Sequence, residues 1–211
     1  GIRASDGMKA RRNFTHHNGQ FGFIGAGADI LIEGNELAYN NTLGYNAYWG
    51  AGGSKWVFTD RLTVRGNYSH HNKGVGLWTD IDNIDSLYEN NRVTDNDLNG
   101  IFHEISYRAV IRNNIVERNG FATGWPSWMD GGGIVVAHSP DVEVYGNTVT
   151  NNRQGIGGLQ SNRGSGRYGA YVLRNLYVHD NTVTMSVGVT GIMQDVGSTA
   201  VFTSLNNRYE N

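Results

Sequence analysis

The sequence predicts an all-β solenoid of about eight coils, and three observations predict it. A short apolar strand, an Asn, a polar stretch and a Gly leading into another apolar strand recur along the whole chain. The recurrence has a period: Asn13, Asn35, Asn67, Asn91, Asn114, Asn147, Asn181 and Asn207 are successively 22, 32, 24, 23, 33, 34 and 26 residues apart. No segment of useful length carries apolar residues at helical spacing, which excludes helical and leucine-rich repeats. A period in this range means that each repeat buries its apolar face only against its neighbours. Residues at equal offsets must therefore stack into columns.

The apolar strands are Ile30-Leu31-Ile32, Leu62-Thr63-Val64, Leu87-Tyr88, Val110-Ile111, Val142-Glu143-Val144 and Leu176-Tyr177-Val178, with weaker copies ending at Asn13 and Asn207. Each leads into its Asn. Other short stretches, such as Leu77-Trp78-Thr79-Asp80-Ile81-Asp82, alternate apolar and polar residues, which gives one inward and one outward face. A repeat of about 23 residues accommodates three such strands and three turns, with neighbouring coils ~4.8 Å apart through parallel ladders. The abundant Gly (30) and scarce Pro (2) suit many tight turns. The recurring Asn is assigned a structural role, a side-chain amide ladder inside one turn.

Composition narrows the function. A chain of 211 residues with no linker-like run reads as one domain, residues 1–211. Its net charge of −2 and lack of a basic stripe argue against nucleic acid as partner. No apolar run approaches the ~18 residues of a membrane span. Cys is absent, so no disulfide is expected. The chain opens and closes partway through repeats without clear caps, and the expectation is a fragment of a longer chain.

The pattern G-N-x-x-x-x-N-x-x-x-G, as in Gly146-Asn147 to Asn152 and Gly155, resembles the right-handed parallel β-helix proteins of the pectate-lyase-like superfamily. The resemblance covers essentially the whole chain. Gly76 to Asn83 and Gly100 to Tyr107 look like stretches of secreted bacterial β-helix repeat proteins. The resemblance implies a right-handed helix and a secreted or cell-surface bacterial location. It also implies a carbohydrate-active role, with lyase, hydrolase and epimerase chemistry all open, because the fold carries several activities.

Counting from the Asn locates a candidate site. Gly76 and Gly100 share an offset, so Leu77 aligns with Ile101, Trp78 with Phe102, Thr79 with His103, Asp80 with Glu104, and Asp82 with Ser106. If Leu77, Ile81, Ile101 and Ile105 point inward, Trp78, Asp80, Asp82, Phe102 and Glu104 share the outer face. Asp80 and Glu104, stacked on adjacent strands, would repel unless a cation, a proton or a base compensates them. Paired carboxylates serve glycoside hydrolysis, and clustered carboxylate oxygens suit Ca²⁺, which Asp80 and Glu104 would hold; no cofactor is required. The alternative is that Asp80 and Asp82 are solvated strand-end acids, with Glu104 paired to Arg108 or Lys55. His103 falls on the inward side, either as a core His bonded to a carbonyl or as a group acting on Glu104.

Three insertions would wall this face. Tyr45 to Trp56 offers Tyr48, Trp49, Lys55 and Trp56. Trp125 to Gly133 offers Trp128 and Asp130. Gln160 to Ala170 is rich in Gly, Ser and Arg and reads as mobile. Trp rings suit sugar faces. The expected catalytic set is Asp80, Asp82, His103, Glu104 and Asp130, and the expected substrate contacts are Trp49, Lys55, Trp78, Phe102, Arg108 and Trp128. In a hydrolase two of the carboxylates act as acid and base; in a lyase Lys55, His103, Tyr107 or Arg108 supplies the base or neutraliser. The expected partner is an extended, acidic polysaccharide that is bound and cleaved; the rival reading is a non-catalytic glycan-binding or structural solenoid of a surface protein. His16-His17 and His70-His71, at matching offsets, read as turn residues. The sequons at Asn13, Asn40 and Asn67 fall in or beside the repeat turns.

Overall fold

The computed structural model describes residues 1–122, 131–188, 190–197 and 208–209. Among these, parallel strands form three sheets of eight, eight and seven members, and almost everything else is turn. The coil from Leu77 to Thr94 shows the plan: Leu77–Asp80 lies in the first sheet, Ser86–Glu89 in the second and Arg92–Thr94 in the third. Each strand hydrogen-bonds to its counterparts one coil away, as Leu77 to Asp80 do with Ile101 to Glu104. Within these three sheets consecutive strands therefore do not pair with each other, and the path is three-sided. The architecture is the predicted right-handed parallel β-helix.

Alternation decides what enters the core. Leu77, Ile101, Ile134 and Ile156 stack in register inside the first sheet, and Tyr88, Ile111, Val144 and Val178 inside the second. All are buried. Such aligned columns fill the solenoid, each coil packing on its neighbours.

The predicted amide ladder runs Asn13, Asn35, Asn67, Asn91, Asn114, Asn147 and Asn181. Each Oδ1 accepts both the backbone N–H and the Nδ2 of the preceding Asn, as Asn91 Oδ1 does from Asn67 at 3.0 Å each. Each Nδ2 also donates to a strand carbonyl, as Asn91 Nδ2 does to Val64 at 2.9 Å. Asn207 lies outside the described residues. A second ladder, Asn18, Asn40, Asn72, Asn96, Asn119 and Asn152, follows five residues later in the first six of these coils with the same bonding; Ser186 stands at that offset in the seventh. Its members are the second Asn of the G-N-x-x-x-x-N pattern. Asn40 and Asn67 sit wholly inside these ladders, which disposes of both as glycan acceptors.

Glycines keep the second-ladder corner closed. A Cβ on Gly76 would lie 2.7 Å from the Gly100 carbonyl and 2.8 Å from Asn96 Nδ2, so the chain passes too near its neighbour for any side chain.

Candidate functional site

The first sheet carries the candidate residues on strands Gly52–Asp60, Leu77–Asp80 and Ile101–Glu104. The predicted register holds: Trp78 pairs with Phe102, Thr79 with His103 and Asp80 with Glu104, and Trp56 pairs with Thr79. Lys55 therefore stands one coil before Trp78 on the outer side.

Three things converge on the Lys55 ammonium. Nζ lies 2.7 Å from Asp80 Oδ2, donates to the Trp49 carbonyl at 2.7 Å, and sits 3.8 Å from the centroid of the Trp78 ring. The pair is recessed, with side-chain exposures of 11% for Lys55 and 9% for Asp80. Asp80 Oδ1 is buried and has no hydrogen-bond partner among the described residues. The short helix Ala47–Gly50, capped by Asn46 Oδ1 accepting from Tyr48 N at 3.0 Å, presents the Trp49 carbonyl.

Glu104 is matched from another direction. Arg163 Nη1 donates to Glu104 Oε1 at 2.7 Å. Burial pushes the Glu104 carboxyl above the usual carboxylate range, the Asp80 charge adds to this, and Arg163 partly offsets both. The two register-paired acids are thus each met by a base from a different insertion. Neither base is Arg108, which immediately precedes the second-sheet strand Ala109–Arg112 and pairs with Asp85 through Nε and Nη2 at 2.8 and 2.9 Å.

Several expectations change. Ile81 and Ile105 do not continue the alternation inward: both adopt left-handed backbone (φ 62° and 33°) and end the strand. Ile105 joins a small separate cluster with Ile84, Tyr107 and Tyr171. Asp82 also has positive φ, so this turn holds two such residues where the next coil holds one. That extra residue is the difference between the 24- and 23-residue repeats. It displaces Asp82 from register with Ser106, whose hydroxyl instead accepts from Asn83 N and Nδ2.

Asp82 serves as an anchor. Its Oδ1 accepts from Tyr171 OH at 2.7 Å and Arg167 N at 3.0 Å, and Tyr107 OH lies 3.3 Å away. Arg167 Nη2 adds a bond to the Asp82 carbonyl at 2.7 Å and reaches Asp60 Oδ1 at 3.1 Å. Burial raises the Tyr171 and Tyr107 phenols above their usual range, so both remain protonated donors. The insertion expected to be mobile is therefore tied to the barrel as an antiparallel hairpin, Ser165–Gly166 with Gly169–Ala170, and it delivers Arg163. Its two arginines were the signal for this role.

His103 points into the core. Thr79 Oγ1 lies 2.7 Å from Nδ1, and Nε2 lies 3.1 Å from the Tyr107 carbonyl, so Nε2–H donates and Nδ1 accepts. Burial lowers its pKa to about 4 and keeps it neutral. Trp78 is also covered: it stacks on Phe102 at 5.7 Å and packs with Val75, Leu98 and Ala47. Trp49, by contrast, is 81% exposed at the rim. Trp128 and Asp130 lie outside the described residues. His138, at the end of the strand Gly132–Ala137, has Nε2 2.7 Å from Ser161 Oγ, and burial together with the nearby Arg163 charge lowers its pKa to about 3. Among the described residues no three His, Cys, Asp or Glu side chains converge as a metal set, and no helix is long and apolar enough to cross a membrane.

The coil plan and its paired amide ladders define a parallel β-solenoid with a recessed charged cluster on one face. Residues 1–149 and 40–183 match the family described as right handed beta helix region, and the chain belongs to that family. Among solved structures the chain is similar in fold to the Dettilon tailspike protein, with a TM-score of 0.55 at 16% identity. The match covers 86% of this chain and 41% of the tailspike chain. No curated protein matches.

Proposed function

We propose that this β-helix is a carbohydrate-active protein whose site is the outer face of the first sheet, where it binds and cleaves an extended, acidic polysaccharide. The observation that carries the reading is the Asp80–Glu104 pair: two acids in register on adjacent strands, each on its own base, with the Glu104 carboxyl held protonated to higher pH than usual. In this reading Glu104 is the proton donor and Asp80 is the second carboxylate, its unpartnered oxygen buried as the structure stands. Strand neighbours stand ~4.8 Å apart, nearer the ~5–5.5 Å separation of retaining glycosidases than the ~6.5–9.5 Å of inverting ones. In lyase chemistry Arg163 and Lys55 would neutralise the uronate carboxylate instead. Ca²⁺ would be held by Asp80 and Glu104 only with Lys55 and Arg163 displaced. The protein would act outside the cell or at its surface.

The second reading, a non-catalytic glycan-binding solenoid, is favoured by one observation: Trp78 and Asp80 are 3% and 7% exposed, so the cleft is shallow as it stands. A panel of uronate and neutral polysaccharides, read for reducing ends and for unsaturated-product absorbance, separates the readings. Cleavage that Glu104→Gln abolishes with the melting temperature unchanged supports the first. Binding without cleavage, by native protein and variant alike, supports the second.

A further inference from the structure

The corner after the third sheet holds four histidines that the cleft does not use. Strands Phe14–His16 and Tyr68–His70 each end in a His, and the next residue, His17 or His71, turns left-handed with φ of 51° or 53°. That turn swings the second ring back against the first. The two rings stand edge to face at 88° in one pair and 89° in the other. The Nδ1 atoms approach to 3.0 Å between His16 and His17 and 2.9 Å between His70 and His71. Two imidazole nitrogens so close either share one proton or direct both lone pairs at a cation.

Three neighbours bear on the choice. His70 Nε2 lies 3.0 Å from Glu36 Oε1. With Nε2–H donating to that carboxylate, Nδ1 of His70 keeps its lone pair, which is the outer-shell arrangement that orients metal-binding His. Tyr39 stacks between His17 and His71, at 5.1 and 5.0 Å, and keeps the two pairs apart. Asp95, beside His71, is already occupied by Arg118 at 2.8 and 2.7 Å.

We propose that each His-His pair is a two-nitrogen site for a divalent transition metal of tetragonal preference, Cu²⁺ or Ni²⁺, with solvent in the remaining positions. The geometry selects the class. Nitrogens 2.9 to 3.0 Å apart, each ~2.05 Å from an ion, subtend roughly 90–95° at it. A tetrahedral ion such as Zn²⁺ holds its ligands near ~109°, which would place these nitrogens ~3.3 Å apart. Right angles are the square-planar and tetragonal preference of Cu²⁺ and Ni²⁺. The pairs stand two coils apart, ~10 Å, so the ions would be independent. The His70–His71 site is the tighter of the two because Glu36 orients it.

The test is titration of tag-free protein with Cu²⁺, and with Zn²⁺ for comparison, by calorimetry and electron paramagnetic resonance. Two Cu²⁺ per chain are expected, bound more tightly than Zn²⁺, with tetragonal spectra showing nitrogen coupling. His71→Asn should leave one site and His17→Asn combined with His71→Asn none; both positions are exposed, and Asn tolerates left-handed backbone. Glu36→Gln should weaken one site about tenfold and leave the other unchanged. Circular-dichroism melting confirms that the variants fold. Absence of Cu²⁺ binding, undiminished stoichiometry in the double variant, or tighter binding of Zn²⁺ than of Cu²⁺ would each overturn the proposal.

Discussion

Replacing Lys55 by Met isolates the clamp at the centre of the cleft. Met keeps much of the stem that packs on Trp78 while removing the charge. The Asp80 carboxylate then has no partner at all among the described residues, because Oδ2 loses Lys55 and Oδ1 has none to begin with. The pair is about nine-tenths buried, so solvent cannot take over. Breaking a buried pair from one side costs ~3–5 kcal/mol, and losing the cation over the Trp78 ring adds to it. Asp80→Asn is milder: Lys55 retains the Trp49 carbonyl and the ring, and an amide oxygen still accepts, so the expected loss is ~1–2 kcal/mol. The double variant has neither charge and should be less destabilised than the sum of the singles by ~2 kcal/mol or more. Urea unfolding followed by circular dichroism and fluorescence, with coincident transitions, measures all three. A Lys55→Met cost under ~1 kcal/mol, or additivity within ~0.5 kcal/mol, would refute the clamp.

Other perturbations test other parts. Asn91→Ala orphans the buried Asn67 N–H and takes one acceptor from Asn67 Nδ2, and should cost ~1–3 kcal/mol in the same unfolding assay. Asp82→Ala removes the acceptor shared by Tyr171 and Arg167 and should expose the hairpin, read as faster tryptic cleavage at Arg163 and Arg167 with the barrel intact. His103 and His138 have folded pKa values of about 4 and about 3, below the ordinary 6.5. Their stabilising contribution is complete above pH 6.5 and is lost as pH falls toward 4, because the unfolded chain binds protons that the folded one refuses. The slope is ~1.4 kcal/mol per pH unit per histidine. His138→Gln should flatten the acid limb measured by urea unfolding between pH 6.5 and 4.

Much of the fold was legible because a solenoid converts offsets into neighbours. The Asn spacing placed the first amide ladder, and the shared Gly76 and Gly100 offset placed Asp80 opposite Glu104. The reading failed where the backbone leaves the strand. Ile81 and Ile105 look like core residues by alternation, yet a strand's period-two rule ends with the strand, and left-handed turns are available to non-Gly residues when neighbouring coils hold them. The bases of the site were harder to find. Arg163 follows Glu104 by 59 residues and reaches it from a hairpin, and no repeat offset predicts where an insertion folds back. Arg108, only four residues from Glu104 in sequence, is carried around the corner to the second sheet.

The way the acids are neutralised constrains what the cleft can bind. An anionic glycan must take Lys55 or Arg163 from the carboxylate it now holds, so binding competes with an internal pair. Glu104 is the weaker competitor, because burial and the Asp80 charge both favour its protonated form. Protonating it releases Arg163 for the ligand. Affinity for a uronate oligosaccharide should therefore rise as pH falls through the elevated Glu104 range, whereas screening of exposed charges alone would leave it nearly flat. Glu104→Gln mimics the protonated acid: it should bind more tightly than the native protein at neutral pH and lose the pH dependence. Isothermal titration of both proteins across that range checks this, and a native affinity that is pH-independent, or a Glu104→Gln variant that binds more weakly at neutral pH, would separate Arg163 from ligand recognition.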